Sequence, residues 1–84
     1  MRRERRFRGI SQRLAAHYLR NLGGEGETDD RIEGDGWHAE LSAEQVNPVA
    51  SITLTEVTVV FVGPEAVLDP LIEDFARKAM RAGG

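Results

Sequence analysis

Asp35-Gly36 is the pair of residues that most narrows what this chain can fold into. Asp-Gly is a preferred two-residue hairpin turn, because both positions tolerate positive φ. A hairpin closed there sets Gly34 against Trp37, Glu33 against His38, Ile32 against Ala39 and Arg31 against Glu40. One face then carries Ile32, Trp37, Ala39 and Leu41, all apolar. The other pairs Arg31 with Glu40 and Glu33 with His38, both favourable across strands. Turn chemistry and side-chain alternation therefore specify one register independently.

The rest of the chain supplies elements for that hairpin to pack with. Residues 3–8 read as a short strand with Phe7 committed to the core. Ser11 offers a helix N-cap. Ile10, Leu14, Ala15, Tyr18, Leu19 and Leu22 then fall within one half of a helical wheel, with Gln12, Arg13, Ala16 and Arg20 opposite. Gly23-Gly24 ends the helix. After Asn47-Pro48, Ile52 and Leu54 share one strand parity and Val57, Val59 and Phe61 the other. That change of phase calls for a turn or a bulge near Thr55-Glu56, and two strands joined by a turn are expected. Gly63-Pro64 opens a last helix with a stripe of Val67, Leu68, Leu71, Ile72, Phe75 and Ala79. Acid-before-base pairs at Glu73/Arg77 and Asp74/Lys78 lie on its outside. Pro70 either follows a fresh cap at Asp69 or kinks this helix. The expected order is β-α-β-β-β-β-α. This is a single α+β domain over residues 1–84, two layers deep, with an antiparallel sheet and both helices on one face.

Composition matters mainly for what it removes. The chain has 84 residues and no cysteine, which excludes disulfides, thiolate zinc sites and a thiol nucleophile. No apolar run approaches the roughly 18 residues of a membrane span, and the N-terminus lacks a leader's apolar stretch. A soluble cytoplasmic protein with no membrane contact is expected. The net charge of −3 is the residue of a strong segregation. Residues 1–23 carry +6, residues 24–74 carry −12, and residues 75–84 carry +3.

The basic run Arg2-Arg3-Glu4-Arg5-Arg6-Phe7-Arg8 reads first as a solvated edge strand, since charge on an edge opposes sheet-to-sheet pairing. It also suits contact with an acidic protein surface, including the middle of another copy of the chain. A nucleic-acid partner is disfavoured by the acidic bulk of the sequence. A protein partner or a homo-oligomer is expected instead. The contact candidates are Arg5, Arg6 and Arg8 in the run, with Arg31 and Trp37 on the hairpin.

No catalytic constellation emerges, and no cofactor or metal is expected. His17 and His38 stand apart, whereas a metal needs three or four converging ligands. His38 oriented by Glu33 has no nucleophile beside it. Residues 29–40 mimic a calcium loop in spacing, but Arg31 occupies a position that requires an oxygen ligand. Gly23-Gly24-Glu25-Gly26 follows a helix and contains acids, unlike a phosphate-binding loop. Gly83-Gly84 resembles the ending of ubiquitin-like modifiers and sulfur carriers, whose thin tail threads into an activating enzyme. Here the glycines follow a helix expected to reach about Arg81, and a helix cap is the simpler account.

Several segments together carry a family resemblance. These are Phe7-Arg8-Gly9-Ile10-Ser11, Arg13-Leu14, Tyr18-Leu19, Asn21-Leu22-Gly23-Gly24-Glu25, Gly34-Asp35-Gly36-Trp37, and the ending from Phe75 to Gly84. They resemble the small C-terminal domain of MoaD-related proteins, which are similar to the sulfur-carrier subunit of molybdopterin synthase. The resemblance implies a TATA-binding-protein-like fold with strand-helix-four-strand-helix order. In that family the domain accompanies a carrier domain, which this chain is not expected to contain. The reading that follows is a non-catalytic interaction or accessory domain linked to molybdopterin or sulfur-carrier metabolism. The alternative is a carrier or modifier acting through Gly83 and Gly84.

Overall fold

A computed structural model describes the backbone of residues 1–83 and the side-chain surroundings of residues 1–81. Its elements are β1 (Arg2–Arg8), α1 (Gln12–Asn21), β2 (Arg31–Gly34), β3 (Trp37–Val49), β4 (Ile52–Val62) and α2 (Glu65–Gly83). The four strands form one antiparallel sheet in the order β1-β4-β3-β2. The fold is α+β, with a four-stranded sheet and two helices.

The Asp35-Gly36 hairpin adopts the expected register at all four pairs, Arg31/Glu40 to Gly34/Trp37. The turn itself differs in one respect. Only Gly36 takes positive φ, at 80°, so the signs are those of a type II turn and not of type I′. Ile32, Trp37, Ala39 and Leu41 are all buried. They share their face with Phe7 of β1 and with Val57, Val59 and Phe61 of β4, and both helices cover that face. Phe75 of α2 is the hub. It is fully buried, with edge-on contacts to Phe7 at 5.0 Å, Phe61 at 5.7 Å and Tyr18 at 6.3 Å between ring centroids. Arg3 points to the same side and pairs with Asp69 and Glu65, tying the edge strand to the start of α2.

α1 begins as its sequence implies. The Ser11 hydroxyl accepts the Leu14 N–H at 3.0 Å. At the other end Gly23, at φ 101°, lets the Gly24 N–H reach the Leu19 carbonyl at 2.9 Å. Ala16, expected on the polar side, is instead fully buried. The segment 25–30 folds back over that flank, where Arg20 donates to the Gly26 and Thr28 carbonyls and Gln12 to the Asp29 carbonyl. α2 is a single helix that runs through Pro70. Asp74, expected to meet Lys78, meets Arg77 alongside Glu73.

The region after Asn47-Pro48 corrects the sequence reading. Four strands form where five are expected, and no turn falls at Thr55-Glu56. β3 runs on through Asn47-Pro48 to Val49, with a register shift between Val46 and Val49, and the chain reverses at Ala50-Ser51. β4 is then continuous from Ile52 to Val62. The change of phase marks the end of the helical cover. Val57 and Leu41 are buried beneath helices, whereas Thr53 and Ala43, on the same face further out, are exposed. The end of the β3–β4 hairpin thus projects past the helices as a two-stranded arm.

Candidate functional site

Both helices lie on one side, which leaves the other face of the sheet open. Directly opposed residues of neighbouring strands share a face, so the register assigns the open side row by row. The first row is Arg2, Val62, His38 and Glu33, crossing β1, β4, β3 and β2. The second is Glu4, Val60, Glu40 and Arg31. Next come Arg6, Thr58 and Ser42, then Arg8, Glu56 and Glu44. Past the end of β1, Leu54 faces Val46 and Ile52 faces Val49. The face therefore has a mainly basic edge at β1, carboxylates across β3 and β2, and an apolar tip.

This geometry sorts the sequence candidates. Arg6 and Arg8 lie on the open face along the β1 edge. Arg31 lies on the same face at the far edge, its Nε donating to Glu33 at 2.9 Å and its Nη1 to Glu40 at 3.4 Å. Arg5 has the opposite parity. It sits opposite Val59 on the helix-covered side and donates to the Glu4 carbonyl at 3.0 Å. Trp37 is in the core at 9% exposure, lying against Gly34 on the helix-covered side and away from the open face. The expected group of five is thus divided, with three on one face, one at the rim and one inside. Gly83 ends α2, and Gly84 lies outside the described residues.

Two features of the face are not among the sequence candidates. Glu56 is a charged residue only 9% exposed, held by the Arg8 Nε at 2.9 Å and sitting directly opposite Glu44. Its signal is the change of phase, which places an acid where a strand leaves its helical cover. The apolar tip is the second. Val49 and Ile52 are 57% and 48% exposed, and with Val46 and Leu54 they form two stacked cross-strand pairs on one side. A pair of strands bare on both faces is marginal in water, so this arm gains from being covered.

The two histidines stand apart from one another among the described residues. Glu33, the intended orienter of His38, is held by Arg31, and His38 instead has Glu40 at 3.8 Å. His17 contacts Asn21 at 3.3 Å. Gly23, Gly26, Glu25, Glu27, Glu33 and Asp35 line an open hollow whose carboxylates repel phosphate. Among the described residues no three His, Asp or Glu side chains gather as a metal site. None of the described helices is long and apolar enough to cross a membrane.

The family model for the archaeal MoaD-like protein matches residues 3–84. No curated protein matches the chain. With nearly its whole length covered, the chain belongs to the archaeal MoaD-like family, and its role is an accessory one related to sulfur carriers and molybdopterin synthesis.

Proposed function

We propose that this archaeal MoaD-like protein acts by protein contact through its open sheet face, within a cytoplasmic sulfur-carrier or molybdopterin assembly. One observation carries the reading: a whole face of the sheet lacks a second layer among the described residues, and most of its cations lie along the β1 edge. Arg6, Arg8 and Arg31 are the contact cations, Arg5 borders them, and Trp37 braces the β2–β3 edge from behind. The carboxylates of Glu40, Glu44 and Glu56 lie among these cations, which disfavours a nucleic-acid backbone and suits a protein of mixed charge. No cofactor is required.

The strand order, with β1 beside the last strand and a helix following each, supports a TATA-binding-protein-like classification. The chain has three strands between its helices where the resemblance implies four. A carrier acting through Gly83 and Gly84 needs a thin extended tail. α2 is helical as far as Gly83, which supports the accessory reading over that one.

Tagged protein recovered from its own cells tests this reading. Sulfur-transfer proteins identified by mass spectrometry should accompany the wild type and be lost from the Arg6→Glu/Arg8→Glu double variant. Equal recovery by both would overturn the assignment of the face. A thiocarboxylate or an isopeptide conjugate at the C-terminus in the intact mass would overturn the accessory role.

A further inference from the structure

We propose that the open face is occupied by a second copy of this chain, docked face to face about a twofold axis parallel to the strands. This rests on the reading of that face as the contact surface and names its occupant. The order of charge across the rows is what selects it. Number the strands by position, β1, β4, β3, β2. A twofold axis running along the strands between β4 and β3 lays β1 of one copy over β2 of the other, and β4 over β3, at the same level. In the first row Arg2 then meets the partner's Glu33. In the second, Glu4 meets the partner's Arg31. Both rows reverse sign from edge to edge, so their edges are complementary under this operation, while inside the second row Glu40 lies over the partner's Val60.

The third row extends the match, whereas in the fourth Glu44 lies over the partner's Glu56 and the two carboxylates are offset by the arginines beside them, the partner's Arg6 and the partner's Arg8. β2 starts at Arg31, and beside Ser42 an open hollow bordered by Asp30, whose carbonyl accepts the Leu41 N–H, takes the place of a fourth strand. The partner's Arg6 lands there, next to Glu44. Arg6 has only a 3.3 Å contact with Glu4 at present, and Glu44 has no ion pair among the described residues. Glu56 keeps its Arg8. At the arm, Leu54 covers the partner's Val46 and Ile52 covers the partner's Val49, joining two apolar tips into one cluster. Aligned sheets cross at about 30°, and the long arginine side chains at the rim span the resulting offset.

The other face-to-face twofold, perpendicular to the strands, stacks β1 on β1 and brings Arg2, Arg6 and Arg8 of both copies together. Like charges so placed disfavour that arrangement. The charge order thus selects both the partner and the axis. Contacts of this kind are isologous, so every pair occurs twice.

Charge reversal by sedimentation equilibrium tests the proposal. In dilute buffer the wild type should weigh two chains. It should fall to one in about 1 M NaCl, where the Debye length is about 3 Å. Arg2→Glu/Arg6→Glu and Glu33→Arg/Glu44→Arg should each weigh one chain in dilute buffer, because each sets like charges together. An equimolar mixture of the two should weigh two chains again, since every reversed pair is then matched, and that recovery also shows both variants to be folded. A wild type that weighs one chain at low salt, or a mixture that stays at one, overturns the inference. Combined with recovery from cells, the outcomes separate. A monomer whose Arg6→Glu/Arg8→Glu variant still loses its sulfur-transfer proteins overturns only the self-association. A dimer broken by charge reversal without loss of those proteins overturns only the outside contact.

Discussion

At the scale of single residues, two glycines of one hairpin hold their places for different reasons, and substitution separates them. Gly36 has φ 80°, and a methyl group added there would meet nothing within 4 Å, so Gly36→Ala costs only backbone strain, about 1 kcal/mol. Gly36→Asn should cost less, because asparagine visits that region more readily. Gly34 has ordinary φ, but a methyl group there runs into the Trp37 ring. Gly34→Ala should cost about 1–3 kcal/mol through overpacking, read as a shift in the urea midpoint at constant slope. Phe75→Ala should cost about 3–5 kcal/mol, since Phe75 joins Phe7, Tyr18 and Phe61. A domain of this size has about 4–12 kcal/mol in total, so that variant should lose a large share of its stability, read as a much lower melting midpoint by circular dichroism. All three sites are legible in the sequence as turn or core. The clash behind Gly34 is legible only once the pairing with Trp37 is drawn.

At the scale of elements, legibility follows how local the cause is. The β2–β3 register rests on a turn and an alternation within ten residues, and it forms as expected. α1 is capped at both ends by residues adjacent to it, and Ser11→Ala should lower stability by about 1 kcal/mol in the same denaturation assay. Ala16 and Glu56 depend on distant chain. Ala16 is buried because segment 25–30 returns across it, and Glu56 marks where the helical layer stops. The parity switch at Thr55-Glu56 records that boundary faithfully, but a strand leaving its cover and a strand turning back produce the same pattern. Amide exchange distinguishes them. Amides of the arm, 43–47 and 52–55, should exchange at least tenfold faster than those of 57–61 in the single chain, because few buried contacts hold the arm. They should slow when two chains associate.

At the scale of the whole molecule, the near-neutral total charge conceals an ordered field. β1 holds five arginines and Glu4 at one edge of the sheet, while Glu33, Glu40, Glu44 and Glu56 lie on the strands across from it and the remaining acids fall in segment 25–30, the hairpin turn and α2. The segregation is plain in the sequence. Its sense across the sheet is not, because that depends on β1 and β2 lying at opposite edges, a consequence of β4 inserting beside β1. Contact through this face should weaken steeply with salt, and Val49→Ser/Ile52→Ser should weaken it at every ionic strength. The first effect reports the charged rows and the second the apolar tip.

The overhanging arm also governs how the molecule moves through solution. The body measures 42 × 24 × 21 Å, so it tumbles as a rod and drags more than a sphere of equal mass. A single chain should therefore leave a sizing column ahead of globular standards of 9.3 kDa, and its rotational diffusion should be distinctly anisotropic. Pairing face to face along the strands thickens the rod without lengthening it. The frictional ratio should consequently fall as the mass doubles, whereas an end-to-end pair would raise it.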